Sequence, residues 1–129
     1  MSVTIALPWA KPPLTQNDRD ERKRGGARKI TEAKDQARWA VRGANLTPIV
    51  GAEVFIHWLI PTRGRRDSDN LGPTLKVCQD ALVLEGVLPD DSWVHVPRSG
   101  HEIHPPNGES AAMGLELSNI HPYDEGVRP

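Results

Sequence analysis

The middle of the chain contains an apolar run, Phe-Ile-His-Trp-Leu-Ile at residues 55–60, which predicts a buried strand. This run closes a longer strand that we predict over residues 50–60. Directly after it the sequence becomes densely charged, with Arg65-Arg66-Asp67-Ser68-Asp69-Asn70. Because the buried strand ends shortly before these residues, we expect them to lie just beyond the edge of the sheet.

Two carboxylates of the charged segment, Asp67 and Asp69, are separated by one residue. In an extended chain their side chains point to the same side, roughly 6–7 Å apart at ~3.3 Å per residue. Two such charges repel each other unless a cation lies between them. Mg²⁺ prefers one or two carboxylates together with waters and a substrate phosphate, so the pair is a candidate magnesium site. A solvated acidic turn is the alternative.

A helix is predicted immediately after the acidic pair. Asp69 or Asn70 can cap its N-terminus, and Pro73 then falls in the first turn, where a missing N–H does little harm. On one face Lys76 and Asp80 are four residues apart. The opposite face carries an apolar stripe with helical spacing, which consists of Leu71, Leu75, Cys78 and Leu82.

Acidic residues recur after this helix. Gly86 is expected to end it. Asp90 and Asp91 follow, and residues 92–96 have the alternation of a further strand. The chain therefore returns carboxylates to the neighbourhood of the first acidic pair.

These motifs resemble the RusA-like Holliday junction resolvases, small dimeric endonucleases of DNA recombination and repair. The resemblance extends from about residue 4 to about residue 96, with its motifs in the family's order. It rests on Ala6-Leu7-Pro8-Trp9, on Arg65-Arg66-Asp67-Ser68-Asp69-Asn70-Leu71, on Lys76 four residues before Asp80-Ala81-Leu82, and on Gly86-Val87 followed by Asp90-Asp91.

The resemblance implies a set of functional residues. Asp67, Asp69 and Asp91 match the family's metal-binding catalytic carboxylates, with Asp90 as the alternative to Asp91. Lys76 matches a lysine that the family needs for catalysis. The sequence departs from the family pattern by the added Gly72-Pro73-Thr74. If these residues form the first turn of the helix, Lys76 lies about one turn further from Asp69 than the family pattern predicts.

The activity that the resemblance implies is Mg²⁺-dependent cleavage of phosphodiesters in branched DNA, such as four-way junctions, by a homodimer. Mn²⁺ is expected to substitute for Mg²⁺. The carboxylates would hold one or two ions, and Lys76 would neutralise charge that develops on the phosphate or the leaving oxygen. Two other interpretations remain open at this stage. One is a branched-DNA binding module whose catalysis has lapsed, and the other is a small metal-binding regulatory protein that does not bind DNA.

The charge of the chain is divided between its halves, although the net charge is only −1. Residues 1–66 carry +7 and residues 67–129 carry −8. An acidic metal site beside a basic phosphate-binding surface would have this asymmetry, although chance clustering or a solvated basic loop would also produce it. The basic residues that we predict to contact DNA are Arg22, Lys23, Arg24, Arg28, Lys29, Arg63, Arg65 and Arg66.

The remaining pattern predicts an α/β (α+β) fold, with a small mixed sheet of about four strands packed with two main helices. Strands are expected at residues 3–7 and 112–117, and a polar loop at residues 17–29. The first helix would begin at Thr31 as N-cap and end near residue 41 or 43. It has a face of small residues, Ala33, Ala37, Ala40, Val41 and Ala44.

With 129 residues, the chain is expected to form one RusA-like domain over residues 1–120 and a disordered tail over residues 121–129. Trp39 is interpreted as a core or dimer anchor. No apolar run approaches the ~18 residues of a membrane span. The single Cys78 gives no disulfide framework and no zinc cluster. A reducing compartment is therefore expected, the cytoplasm of a bacterium or of a phage-infected host.

Other site motifs fail or lack support. A calcium-binding loop that begins at Asp67 would place Cys78 where a glutamate belongs. The Gly-rich phosphate loop of nucleotide hydrolases is absent from the sequence. His101 and His104 lack the spacing of two histidines on one helix face, so we interpret them, together with His95, as structural or surface residues.

Overall fold

The computed structural model describes residues 2–14, 26–64 and 71–122. In this part of the chain a four-stranded mixed sheet packs with two helices, which confirms the predicted small α+β fold. No helix of the described ranges is long and apolar enough to cross a membrane. The elements are β1 Ser2–Leu7, α1 Gly26–Ala44, β2 Ile49–Leu59, α2 Gly72–Leu84, β3 Ser99–His104 and β4 Ala112–Pro122.

The sheet has the strand order β1-β4-β2-β3. β4 is antiparallel to both of its neighbours, whereas β2 and β3 are parallel. A parallel pair needs a crossover connection, and α2 lies in the connection between β2 and β3. The predicted strand at residues 50–60 is thus an inner strand, β2, bonded on both sides.

One face of the sheet is apolar and forms the core with the helices. Ile56 of β2 is the register partner of Leu115 of β4, which in turn pairs with Ile5 of β1. All three are at most 3% exposed, and burying such a side chain contributes about 1.5–3 kcal/mol. The same face carries Val54, Trp58, Met113 and Leu117, so the predicted apolar side of the last strand is confirmed.

Helix α1 confirms the small-residue face but begins earlier than predicted. Ala33, Ala37 and Val41 are buried, whereas Ala40 is half-buried and Ala44 is exposed. The helix begins at Gly26, so the prediction of a polar loop is wrong for residues 26–29, and residues 17–25 lie outside the described ranges.

Thr31 is an interior residue of α1 and not its N-cap. Its hydroxyl donates to the carbonyl of Ala27, four residues earlier, at 3.0 Å. This is how threonine satisfies its hydroxyl within a helix. The helix extends one turn further back because Gly26 is buried and Ile30 packs against the core.

Trp39 is not a core residue, because 73% of it is exposed. It lies on the outer face of α1, where the guanidinium of Arg42 stands 6.0 Å from its ring centroid. The prediction of a core anchor is therefore wrong. Its role in a dimer stays a prediction.

Helix α2 begins where expected. Its N-cap position is Leu71, which makes no side-chain capping bond, and the predicted caps Asp69 and Asn70 lie outside the described ranges. Pro73 lies in the first turn, as predicted. Of the predicted apolar stripe, Leu71, Cys78 and Leu82 are fully buried and Leu75 is half-buried.

The predicted end of α2 is confirmed, and its cysteine lies on the buried face, as predicted. The helix ends at Leu84, and Gly86 has a φ of +78°, a left-handed conformation that favours glycine. Cys78 is a free, buried thiol, and its burial raises its pKa to about 12.

The segment at residues 92–96 is a turn, so the predicted strand there is wrong. The N–H groups of His95 and Val96 both donate to the carbonyl of Ser92, at 3.0 and 2.8 Å, which closes the chain on itself. Trp93 and Val94 are neighbours and both are exposed. The alternating residue types of this segment therefore do not correspond to a buried and an exposed face of a strand. The strand of this region is β3, which begins later, at residue 99.

The last strand is longer than predicted. β4 continues to Pro122, so His121 and Pro122 belong to the sheet and the prediction of a disordered tail is wrong for these two residues. Ile49 pairs with Pro122 at the end of the strand. Residues 123–129 lie outside the described ranges.

Candidate functional site

The segment that follows β1 is hydrogen-bonded to both helices. The indole N–H of Trp9 donates to the side-chain oxygen of Gln36 in α1 at 2.7 Å. The hydroxyl of Thr74, on the first turn of α2, donates to the carbonyl of Leu14 at 3.2 Å. Both Leu14 and Thr74 are fully buried. These bonds link the segment after β1 to the middle of α1 and to the first turn of α2.

A groove of about 610 Å³ lies between the N-terminal half of α1 and helix α2. Its lining includes Leu14, Ile30, Lys34, Pro73, Lys76 and Asp80.

Lys76 stands between two carboxylates at this groove. Its ammonium nitrogen lies 2.8 Å from Oδ2 of Asp91 and 3.1 Å from Oδ1 of Asp80. Lys34 of α1 approaches the other oxygen of Asp80 at 3.4 Å. We call Lys34, Lys76, Asp80 and Asp91 the lysine–aspartate cluster. It joins α1, α2 and the segment after α2.

The charges of this cluster stabilise one another. The hydrogen bond from Lys76 is the main cause of a lowered pKa of Asp91, and partial burial opposes it. In the other direction, the bond to Asp91 raises the pKa of Lys76, with a further contribution from Asp80. Lys76 is thus a cation and Asp91 an anion at neutral pH, although both side chains remain accessible to solvent.

Asp91, and not its neighbour Asp90, reaches Lys76. The Asp90 carboxylate accepts a hydrogen bond from the backbone N–H of Asp91 at 2.8 Å. Asp90 therefore orders the turn that presents Asp91. Between the two alternatives from the sequence, the one that contacts the lysine is Asp91.

Gly72 and Pro73 form the first turn of α2, together with Thr74. The added residues thus occupy the first turn, and Lys76 lies in the next turn. From there its long side chain reaches Asp91, which is fifteen residues away in the sequence.

The other predicted site residues divide into two groups. Arg28 and Lys29 lie exposed on α1, where Arg28 pairs with Glu32 at 3.3 Å, and Arg63 is exposed after β2. The remaining predicted residues lie outside the described ranges; they are Arg22, Lys23, Arg24, Arg65, Arg66, Asp67 and Asp69.

A second polar cluster, which the sequence did not predict, lies on the sheet face away from the core. His57 of β2 has Glu102 of β3 as its register partner, and His104 follows two residues later on the same face. Glu116 of β4 lies diagonally across on that face. We call His57, Glu102, His104 and Glu116 the histidine–glutamate cluster.

The cluster is closely packed. Nδ1 of His57 is 2.8 Å from Nε2 of His104, and Nε2 of His57 is 2.8 Å from a carboxylate oxygen of Glu116. One oxygen of Glu102 lies 3.8 Å from the same His57 nitrogen and 3.9 Å from the His104 nitrogen. His57, Glu102 and His104 together form a group that could hold a metal ion.

This group contains none of the aspartates predicted as metal ligands. His104 was interpreted as structural because its spacing from His101 was judged against a helix, whereas on a strand residues 102 and 104 share a face. His57 and Glu116 gave no local signal. Both stand at polar positions of inner strands, and only the pairing of β2 with β3 and β4 brings them together.

Neither a scan of the sequence against protein-family models nor a search among curated proteins finds a match. The resemblance to the RusA-like resolvases therefore rests on the motifs of the sequence and stays a prediction.

Proposed function

We propose that this chain is a Mg²⁺-dependent endonuclease of the RusA-like type that cleaves branched DNA. The proposal rests on the sequence motifs and on one observation, the contact of 2.8 Å between Lys76 and Asp91. The resemblance assigns functional roles to both residues. Their meeting across fifteen residues supports the proposal, because a shared site requires such a meeting.

The carboxylates Asp67, Asp69 and Asp91 would hold the metal. Oxygen ligands of this kind suit a hard cation such as Mg²⁺. When bound, the ion supplies a polarised phosphate and an attacking water of lowered pKa. Asp69 lies only two residues before the N-cap of α2, and Asp91 reaches the second turn of the same helix.

Lys76 would place its ammonium beside the phosphate. An ammonium close to a phosphoryl oxygen stabilises the negative charge that develops during cleavage. In the structure it is bound to Asp91, so substrate phosphate would compete with this carboxylate for the lysine. The exchange is feasible because 61% of the Lys76 side chain is exposed.

The basic residues around the groove would bind the DNA backbone. Lys34 and Lys76 line the groove, and Arg28 and Lys29 are exposed on the same half of α1. Such side chains contact phosphates and position the duplex without reading its bases. The predicted basic loop with Arg22, Lys23 and Arg24 would extend this surface, and a homodimer would present two such surfaces for paired nicks.

The proposal is tested with a synthetic four-way junction and a linear duplex, with and without Mg²⁺. The unaltered protein should nick the junction only in the presence of the ion. Asp69→Asn and Asp91→Asn should bind the junction and not cleave it. Asp35→Asn, an exposed change on α1, is the control and should cleave normally. Undiminished cleavage by Asp69→Asn would overturn the proposal.

A branched-DNA binding module without catalysis is the second candidate. The same ion pair favours it, because a lysine bound to Asp91 occupies a carboxylate that a metal ion would need. For this candidate, the unaltered protein binds the junction with equal affinity with and without Mg²⁺ and never nicks it. Cleavage that depends on Mg²⁺ and on Asp91 excludes it.

A further inference from the structure

The histidine–glutamate cluster lies on the sheet face opposite the helices and the groove. We propose that it binds a divalent transition-metal ion, with Zn²⁺ as the representative ion. The ligands would be Nδ1 of His57, Nε2 of His104 and one carboxylate oxygen of Glu102. This site is separate from the proposed nuclease site, so the two proposals stand or fall independently.

The three ligand atoms lie close enough together to bind one ion. They are separated by 2.8, 3.8 and 3.9 Å. A circle through three points with these separations has a radius of about 2.1 Å, which matches the ~2.0–2.2 Å of Zn–N and Zn–O bonds. In a tetrahedral site with such bonds the ligand atoms lie about 3.3 Å apart, so the two imidazole nitrogens would move slightly apart and the exposed Glu102 side chain would move in.

Glu116 would orient the first ligand. Its carboxylate accepts a hydrogen bond from Nε2 of His57 at 2.8 Å. An ionised carboxylate is only an acceptor, so the proton of this bond belongs to Nε2 of His57, and in the neutral form of that ring Nδ1 has a lone pair for the ion. A carboxylate on the far nitrogen is the usual partner of a metal-binding histidine. Glu116 is therefore a positioning residue and not a ligand.

The backbone of the sheet holds the ligands in place. His57 and Glu102 are register partners on parallel strands, and His104 is the next residue of β3 on that face. Sites on paired strands are more rigid than sites on loops. The cluster needs no rearrangement of the main chain to receive an ion.

The ligand types select the metal. Two imidazoles and one carboxylate suit Zn²⁺, Co²⁺ or Ni²⁺, whereas Mg²⁺ prefers oxygen ligands. Cys78 does not compete, because it is a fully buried thiol whose pKa is raised by burial. Three protein ligands leave a further position open, and the side chains of His104 and Glu102 are 44% and 58% exposed. Water or a small anion could occupy this position.

The alternative is a hydrogen-bonded pair of histidines that only links two strands. One ring nitrogen would then donate to the other at 2.8 Å. Such a pair gains nothing from a metal ion, and Glu102 is not needed for it. Zinc titrations of the cluster variants therefore distinguish the two interpretations.

The experiment is calorimetric titration of the full, tag-free chain with Zn²⁺, together with visible absorption of the Co²⁺ form. One Zn²⁺ per chain should bind, and Mg²⁺ should not compete for it. His57→Ala, His104→Ala and Glu102→Gln should each lose the site, and Glu116→Gln should weaken binding about 10- to 100-fold. Zn²⁺ should also raise the melting temperature of the unaltered protein and not that of Glu102→Gln.

His101→Ala is the matched control, since His101 lies on β3 but on the other face. It should bind Zn²⁺ like the unaltered protein. Glu102→Gln changes an exposed side chain, so it tests the proposal even if His57→Ala does not fold. No zinc binding by the unaltered protein, or equal binding by Glu102→Gln, would overturn the proposal. Asp91→Asn, which tests the nuclease, should leave zinc binding unchanged.

Discussion

The ammonium of Lys76 lies 2.8 Å from a carboxylate oxygen of Asp91, which joins the second turn of α2 to the segment that follows the helix. Asp80, four residues after Lys76, approaches the same ammonium at 3.1 Å. One cation therefore holds two carboxylates close together. The charge of this lysine lowers the pKa of Asp91, which is the residue that we propose as a metal ligand.

Replacing Lys76 by methionine should raise the pKa of Asp91 towards its ordinary value. The bond from Lys76 is the largest cause of the lowered pKa, and methionine keeps the unbranched, apolar part of the side chain without the charge. Carboxyl chemical shifts recorded by NMR during a pH titration measure the change. Because both side chains are partly exposed, the free energy of unfolding should fall by less than about 1 kcal/mol.

Lys34→Met is the control for this experiment, since Lys34 contacts Asp80 and lies in the same groove. It should leave the titration of Asp91 unchanged. An Asp91 pKa that is the same in Lys76→Met and in the unaltered protein would contradict the assignment of the shift to Lys76.

The stabilisation that Glu85 contributes to the folded protein should be lost in acid. Arg38 and Arg42 of α1 donate to its carboxylate at 2.7 and 2.8 Å. The bonds, first from Arg42 and then from Arg38, lower its pKa from 4.5 to about 2. The unfolded chain therefore takes up this proton at higher pH than the folded chain does. The stabilisation is complete above pH 4.5 and is lost as the pH falls towards about 2.

Urea unfolding at a series of pH values, with Glu85→Gln as the comparison, measures this contribution. The variant should be less stable than the unaltered protein at neutral pH, and the difference should shrink between pH 4.5 and about 2. Glu32→Gln, which removes an exposed pair with Arg28, should show little difference at any pH. A Glu85→Gln difference that is constant across this range would refute the prediction.

Gly51 should not tolerate a larger side chain. A Cβ atom there would lie 2.6 Å from the carbonyl oxygen of His95, which already accepts a hydrogen bond from Ala52 at 2.9 Å. Because the obstacle is backbone, it cannot move aside without breaking this bond. Gly51→Ala should lower the free energy of unfolding by about 1–3 kcal/mol, as measured by chemical denaturation.

Gly43 is the matched control. A Cβ atom there would meet nothing within 4 Å, and the residue lies inside α1. Alanine favours a helix over glycine by up to about 1 kcal/mol, so Gly43→Ala should stabilise the protein. Equal effects of the two substitutions would show that the segment at residue 95 does not press against β2.

Local patterns in the sequence were sufficient for most of the architecture. The apolar run of β2, the alternating polarity of β4 and the apolar stripe of α2 are short-range patterns. Each of these elements lies where its pattern predicts it. The wrong predictions also came from local patterns. Thr31 resembled a cap but is an interior helix residue, and residues 92–96 alternate in polarity but form a turn, which bonds to β2 through the carbonyl of His95.

The two clusters depended on tertiary structure to different degrees. The resemblance of the sequence motifs singled out Lys76 and Asp91, and the fold brings them together with Asp80. The histidine–glutamate cluster could not be found in this way. Its members come from three strands, and they meet only because β2 pairs with β3 and β4 in one register.

The sequence alone determined the type and order of the elements other than β3, and the split of charge, because helix and strand periods and net charge depend on neighbouring residues. Only the tertiary structure decided which polar groups share a site. A shift of one residue in the pairing of β3 would turn Glu102 and His104 to the other face and separate them from His57. Register is set by the packing of the whole sheet, and no segment encodes it by itself.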